Sequence, residues 1–288
     1  MSQIGKQRLD VPSKEWFIEF YSTQKHTPKE LVEILNRLPT TTKEWKDYDV
    51  KNCLTRYGIP RHGERSQKSA LIKASPLSKN EREIIIGSVL GDGSISHSNG
   101  HFGVFSEAHT TKQVPYLLWK YEQLKRLCTS PPASFTSTYT KKDGTLAEGM
   151  DFRTIAHPDI KELSAHMYKD NHKDHDVYVR LRMSLLVLTV WYLDDGALHP
   201  TRQGKYAAVI STEGIPQSTL ELTKNFLNKK YSMELTLTKT NRGFGYSIYI
   251  PTKSPFFELI APFVPESMQY KLPPYLRSLP ETEGNETG

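Results

Sequence analysis

Ile85-Ile86-Gly87-Ser88-Val89-Leu90-Gly91-Asp92-Gly93 and, about a hundred residues later, Leu188-Thr189-Val190-Trp191-Tyr192-Leu193-Asp194-Asp195-Gly196 follow one plan: an apolar run that closes on an acid and a glycine. Each run predicts a buried helix ended by a turn. The sequence after each run repeats as well. Phe105-Ser106-Glu107 answers Ser211-Thr212-Glu213 at the end of a strand-like stretch. Helical patterns follow, with Tyr116, Leu117, Trp119 and Leu124 in one copy and Leu220, Leu222, Phe226 and Leu227 in the other. Thr138-Tyr139-Thr140-Lys141 and Thr236-Leu237-Thr238-Lys239 then introduce hairpins, and Asp159 to Leu163 and Phe256 to Ile260 are again helical. Repetition at a fixed spacing is the signature of a duplicated unit, here helix, two strands, helix, two strands, helix. The fold class is α+β, two αββαββα halves related by a pseudo-twofold axis.

Asp92 and Asp195 each close a buried helix, where the negative end of the dipole disfavours an anion by about 0.3–1 kcal/mol. If the two helices pack together, both carboxylates arrive at the same end of the interface and repel, and a divalent cation relieves that repulsion. Mg²⁺ binds few carboxylates and keeps positions for water and phosphate oxygens, which suits phosphodiester hydrolysis. Gly87 and Gly91 allow close approach of the first helix, and Gly93 and Gly196 are expected to take the left-handed cap conformation. Taken singly, Gly91-Asp92-Gly93-Ser94 and Asp194-Asp195-Gly196 are ordinary turns after core helices; their equivalent places in a repeat favour a site. The same holds for the polar strand positions Ser94, Ser96, His97, Thr138, Thr140 and Lys141 in one half and His199, Arg202, Thr236, Thr238, Lys239 and Arg242 in the other. Any one strand reads as the solvated face of a half-buried sheet, whereas two copies flanking two acidic helix ends fit contacts to bases and phosphates.

The two nonapeptides resemble the signature motifs of the LAGLIDADG homing endonucleases, and the resemblance extends over about residues 78–278. It implies signature helices at a central interface and saddle-shaped antiparallel sheets seated along the major groove of double-stranded DNA. It also implies a single chain carrying its own pseudo-symmetry, hence a monomer, and a long target, near-palindromic or asymmetric. By the same resemblance Asp92 and Asp195, with the neighbouring Gly91 and Asp194, hold catalytic Mg²⁺ or Mn²⁺, and both strands are cut across the minor groove with short 3′ overhangs. Glu107 and Glu213 stand where relatives carry a polar residue that positions water, or are simply polar strand ends. Lys271, in Met268-Gln269-Tyr270-Lys271-Leu272-Pro273, resembles the lysine that steadies charge on the phosphate. Lys173 is its counterpart in the first half, with Lys169 close by. Val190 and Asp194 replace the small residues of the first motif at Gly87 and Gly91, so packing is expected to be asymmetric.

The chain has 288 residues, 37% of them hydrophobic and 10% aromatic, which excludes a disordered protein; 17 Gly and 18 Pro exclude collagen-like composition. No run of about 18 apolar residues suggests a membrane span and Met1 to Lys6 hold no signal core, so an intracellular, soluble protein is expected. Two cysteines, Cys53 and Cys128, are too few for a disulfide framework or a cysteine zinc site. A net charge of +6 favours a polyanionic partner, and most of the excess lies in residues 1–75.

Residues 1–61 form three short helices: one around Trp16, Phe17, Phe20 and Tyr21, one opened by Thr27-Pro28-Lys29-Glu30, and one that runs to about Tyr57 and is capped by Gly58. With Lys51, Arg56 and Arg61 the last helix resembles the recognition helix of a helix-turn-helix DNA-binding module; a helical bundle for protein contact is the other reading. Residues 62–76 are expected to be a basic, partly extended linker, 77–180 and 181–280 the two halves, and 281–288 an acidic tail. Two functions fit: a metal-dependent, site-specific double-strand DNA endonuclease, or a cleavage-deficient DNA-binding regulator or intron maturase on the same scaffold.

Overall fold

A computed structural model describes residues 11–39, 43–59, 64–98, 102–140, 144–169, 172–173, 183–240 and 244–277, with the backbone alone at 64–68, 97–98, 102, 138–140 and 169. The chain divides into two compact units, residues 1–71 and 72–288. In the first, helix α1 (Lys14–Phe17) continues as a π-helical turn to Thr23, followed by α2 (Pro28–Arg37) and α3 (Asp47–Arg56). Thr27 and Glu30 form a reciprocal capping box at the start of α2, and Gly58 takes φ +65° after α3, as a helix-stopping glycine should. Phe17, Tyr21, Leu31, Leu35, Trp45, Val50 and Leu54 are the core of this unit.

The partly extended conformation expected for residues 62–76 is corrected by the structure: Glu64–Ala74 is a helix, α4. No Gly or Pro lies between Gly63 and Pro76, so nothing in Glu64 to Ala74 interrupts backbone hydrogen bonding.

The second unit is the duplicated fold. Its first half runs α5 (Lys79–Leu90), β1 (Ser94–Ser98), β2 (Phe102–Thr110), α6 (Val114–Leu124), β3 (Ala133–Thr140), β4 (Leu146–Arg153) and α7 (Pro158–Met167). A short ribbon, β5 (Tyr168–Lys169) with β6 (His172–Lys173), follows. The second half runs α8 (Leu185–Asp195), β7 (Gly196–Pro200), β8 (Tyr206–Ile210), α9 (Gln217–Tyr231), β9 (Thr236–Lys239), β10 (Tyr246–Ile250) and α10 (Phe256–Ile260). The sheets share one antiparallel topology, β1-β2-β4-β3 and β7-β8-β10-β9. Their inner faces and the helices form one apolar core that contains Ile85, Ile86, Val89, Phe105, Leu117, Val187, Val190, Tyr192, Ile210 and Ile248.

Helices α5 and α8 are paired at the centre of this core, buried on nearly every side. Each fully buried aliphatic side chain contributes about 1.5–3 kcal/mol, so an all-round apolar helix is stable only with a partner on each side. Close approach requires glycine. A Cβ at Gly87 would lie 2.7 Å from Val190 Cβ, and one at Gly91 would lie 2.4 Å from Asp194 Cβ. The expectation for Gly93 and Gly196 is corrected, because neither has positive φ. Gly196 is extended, and both glycines are required for room: a Cβ at Gly93 would meet the Phe105 ring at 2.8 Å and one at Gly196 the Tyr192 ring at 2.0 Å.

Candidate active site

Ser78 and Glu81 cap the start of α5, and Ser184 caps α8. Both helices then run apolar to their ends and deliver acids there. Asp195 is the last residue of α8, and Asp92 lies in the turn just after α5, its side chain 44% exposed. The two carboxylates feel each other's charge: burial, and then Asp92, push the Asp195 carboxyl up to about 6, against the pull of Lys173, Trp191 and Lys271.

The two lysines expected at the site sit on the helix ends. Lys173 Nζ donates to the Gly91 carbonyl at 2.6 Å, and Lys271 Nζ donates to the carbonyls of Leu193 (2.5 Å) and Asp194 (3.5 Å). A cation at a helix C-terminus meets carbonyls that have no partner within the helix. The β5–β6 ribbon carries the first lysine, and a 3₁₀ helix, Glu266–Lys271, carries the second. Burial lowers the pKa of both ammonium groups, while the aspartates hold them up.

The remaining candidates separate. Asp194 is turned into the interface with its side chain fully buried, and Lys120 Nζ donates to its Oδ1 at 2.8 Å and Oδ2 at 3.0 Å. The same ammonium pairs with Glu107 Oε1, which also meets His109 Nε2 at 2.8 Å. His109 Nδ1 lies 3.9 Å from Asp92 Oδ2 and 3.2 Å from Gln113 Oε1. Two buried carboxylates thus share one ammonium, and the His109 ring stands against one of them. Burial, with the like charges of Glu107 and Asp92 and against Lys120, pushes Asp194 up to about 7. Burial also raises Glu107, but Lys120 and His109 outweigh it and hold its pKa below the usual value. Glu213 differs: it is exposed, with Ser247 Oγ 3.4 Å from its Oε1. Thr212 is the inward residue at that strand end, its hydroxyl donating to the Tyr246 carbonyl at 2.6 Å.

Lys120 and His109 were absent from the expected site, although the pattern marks both. Lys120 falls four residues after Tyr116 and four before Leu124, on the apolar face of α6. His109 shares a strand face with Phe105 and Glu107. Asp92, His109 and Asp194 bring one ligand atom each within 4.8 Å of one another.

On the sheets, Ser94 and Ser96 are exposed with Ile95 buried between them, and His199, Arg202, Thr236, Thr238 and Lys239 are exposed. Asp92, Ser94, Ser96, Ser106, Asp151 and Arg153 line a concavity of about 370 Å³ beside the helix ends. His97, Thr138 and Thr140 lie on β1 and β3 with only their backbone described, and Lys141, Arg242 and Arg61 lie outside the described residues. In the first unit Lys51 and Arg56 lie on α3, and the Lys51 ammonium pairs with Asp47. No described helix is long and apolar enough to cross a membrane.

Residues 82–257 match the LAGLIDADG DNA endonuclease family. The chain is 30% identical over 211 residues to DNA endonuclease I-ChuI of Chlamydomonas applanata, covering 68% of this chain and 95% of that one. It is 29% identical to a protein RecA of Mycolicibacterium flavescens over 70% of this chain and 48% of that one, about half of that protein's length. It is 25% identical to the cytochrome b mRNA maturase bI2 of Debaryomyces hansenii, over 70% of this chain and 76% of that one. The structure of the homing endonuclease I-WcaI bound to its DNA recognition sequence superposes with a TM-score of 0.62 at 22% identity, covering 70% of this chain and 91% of that one, which establishes the shared fold. Two duplicated halves joined through paired acidic helices define the class, and the chain belongs to the LAGLIDADG DNA endonuclease family.

Proposed function

We propose that this chain is a site-specific endonuclease that hydrolyses both strands of double-stranded DNA, dependent on Mg²⁺ or Mn²⁺, and leaves short 3′ overhangs. One observation carries the reading. Asp92 and Asp195 stand at the same end of two paired helices, where burial first and then the charge of Asp92 lift the Asp195 carboxyl to about 6, an arrangement suited to binding a cation.

The donors fit a hard divalent cation, since carboxylate and carbonyl oxygens of Asp92, Asp195, Gly91 and Asp194 are what Mg²⁺ and Mn²⁺ accept. When bound, the metal would supply Lewis-acid stabilisation of the phosphate and a more acidic water. The residues of the chain do the rest. Asp92 and Asp195 set where the scissile phosphates lie. Lys173 and Lys271 are held on helix-end carbonyls, where they would add positive charge beside the scissile phosphate and the oxygen that leaves it. Glu107, fully buried and bonded to Lys120 and His109, orients its neighbours and touches no open solvent. Exposed side chains of β1, β7 and β9 are suited to base edges, and Lys51 and Arg56 of the first unit to phosphates.

Similarity to an mRNA maturase supports a second reading, a splicing-assisting protein on the same scaffold. Both motif acids are retained here, and they favour cleavage. Incubation with a randomised DNA library and Mg²⁺, followed by sequencing of the broken ends, should recover one long site cut on both strands, with nothing recovered in EDTA. Binding of DNA or intron RNA with no break at any sequence would favour the second reading.

A further inference from the structure

We infer that Lys120 is a positioning residue that serves the Asp92 centre alone, so that the two strand-cutting centres of this chain are chemically unequal. The inference rests on the nuclease reading above and goes beyond it to say how the halves divide the work.

The geometry has two arms that start at one ammonium and end on one aspartate. In the first arm, Lys120 Nζ holds both oxygens of Asp194, at 2.8 and 3.0 Å, and Asp194 Oδ2 in turn lies 3.4 Å from the backbone N–H of Asp92. This arm crosses from one half to the other, and it exists because Gly91 leaves space for the Asp194 side chain. In the second arm, Lys120 pairs with Glu107, Glu107 Oε1 meets His109 Nε2, and His109 Nδ1 faces Asp92 Oδ2 at 3.9 Å. One arm reaches the main chain of Asp92 and the other its carboxylate. Tyr116 closes the space beneath: its ring lies 4.4 Å from Lys120 Nζ, and its hydroxyl reaches the Val190 carbonyl at 3.5 Å.

In the other half the positions that match Glu107 and Lys120 are neutral among the described residues, and its buried ammonium, Lys271, sits on the carbonyls of Leu193 and Asp194. Its helix α9 buries Thr219, Leu220, Thr223 and Leu227, and its inward strand-end residue is Thr212. Thr223 and Thr212 spend their hydroxyls on the backbone carbonyls of Thr219 and Tyr246. Lys224, on the same helix, pairs with Glu221 next to it. A buried ammonium that loses a partner leaves an uncompensated charge. A neighbouring carboxylate anchored through that ammonium therefore shifts, while one anchored elsewhere stays.

The test is Mn²⁺ binding by calorimetry, which needs no catalysis. In the Asp195→Asn background the titration reports on the Asp92 carboxylate, and in the Asp92→Asn background on the Asp195 carboxylate. Lys120→Met should weaken Mn²⁺ at least about tenfold in the first background and leave the second within about twofold. A triple variant, Glu107→Gln with Lys120→Met and Asp194→Asn, neutralises the ammonium together with both carboxylates it pairs with and keeps the measurement open where Lys120→Met alone fails to fold. It should show the same one-sided loss. On cleavable DNA, strand-resolved kinetics should show Lys120→Met slowing one strand at least about tenfold more than the other, through kcat with KM unchanged. Equal weakening in both backgrounds, or none in either, overturns the inference and leaves the nuclease reading standing. Wild-type protein that binds no Mn²⁺ defeats that reading, and the inference with it.

Discussion

The two halves have the same backbone plan and different interiors. At the end of α5 the exposed Asp92 is backed by a buried ionic network, Lys120 with Asp194, Glu107 and His109. At the end of α8 the more enclosed Asp195 feels the charges of Lys173 and Lys271, with Lys271 Nζ on the carbonyls of Leu193 and Asp194. Duplication thus fixed strand order, helix pairing and the station of each acid. It left the support of each acid free to diverge. The second motif shows how: Asp194 replaces a small residue at a contact position, and Gly91 opposite it accepts the larger side chain.

The largest expected departure comes from the lysines, which are the feature the halves share. Lys271→Met and Lys173→Met should each slow cleavage by roughly 10²-fold with DNA affinity little changed, the size of effect seen when one donor to a developing oxyanion is removed. Equal rates in wild type and either variant would confine that lysine to capping a helix. A smaller effect is expected at the glycine that makes the halves differ. Gly91→Ala drives a methyl into Asp194 and should destabilise the protein by about 1–3 kcal/mol, read as a lower Tm. Asp194→Gly removes the Cβ that this methyl meets, so Gly91→Ala should cost clearly less in the Asp194→Gly background than in wild type, and an equal cost in both would show that the contact is not the source.

The smallest effect concerns a pair found in the first half, Glu81 with Arg126, whose NH2 lies 2.6 Å from Glu81 Oε2. Burial pushes Glu81 up, but Arg126 and Ser78 outweigh it and hold its pKa below the usual carboxylate value. A depressed carboxylate adds stability above its unfolded pKa and loses it as pH falls through the folded one. Glu81→Gln should therefore cost roughly 1 kcal/mol at pH 7 and converge on wild type in acid. A gap that persists at pH 2 would assign the loss to packing.

The architecture was legible because it depends on patterns that recur: two apolar runs ending in acids, and strands with inward Ile95 and Phe105 or Ala208 and Ile210. Asp92 and Asp195 stand at equivalent places in the same repeat, whereas Lys173 and Lys271 were singled out by the family resemblance. The Lys120 network was not read, because a lysine on an amphipathic helix is ordinarily solvated, and its burial follows only once Asp194 arrives from the other half. The equivalence of Glu107 and Glu213 in sequence is likewise not one of environment: a strand's faces alternate, and the residue turned inward beside Glu213 is Thr212. The helix at Glu64–Ala74 was hidden by its polar composition, since amphipathic periodicity there is weak.

The most direct measurement is strand-resolved cleavage of the selected DNA site by Asp92→Asn and Asp195→Asn, with affinity for that DNA measured alongside. Each variant should lose cutting by at least about 10²-fold while Kd stays within about twofold, because each removes one carboxylate from the paired helix ends and leaves both sheets intact. Wild-type cutting by either variant would contradict the assignment of these two aspartates.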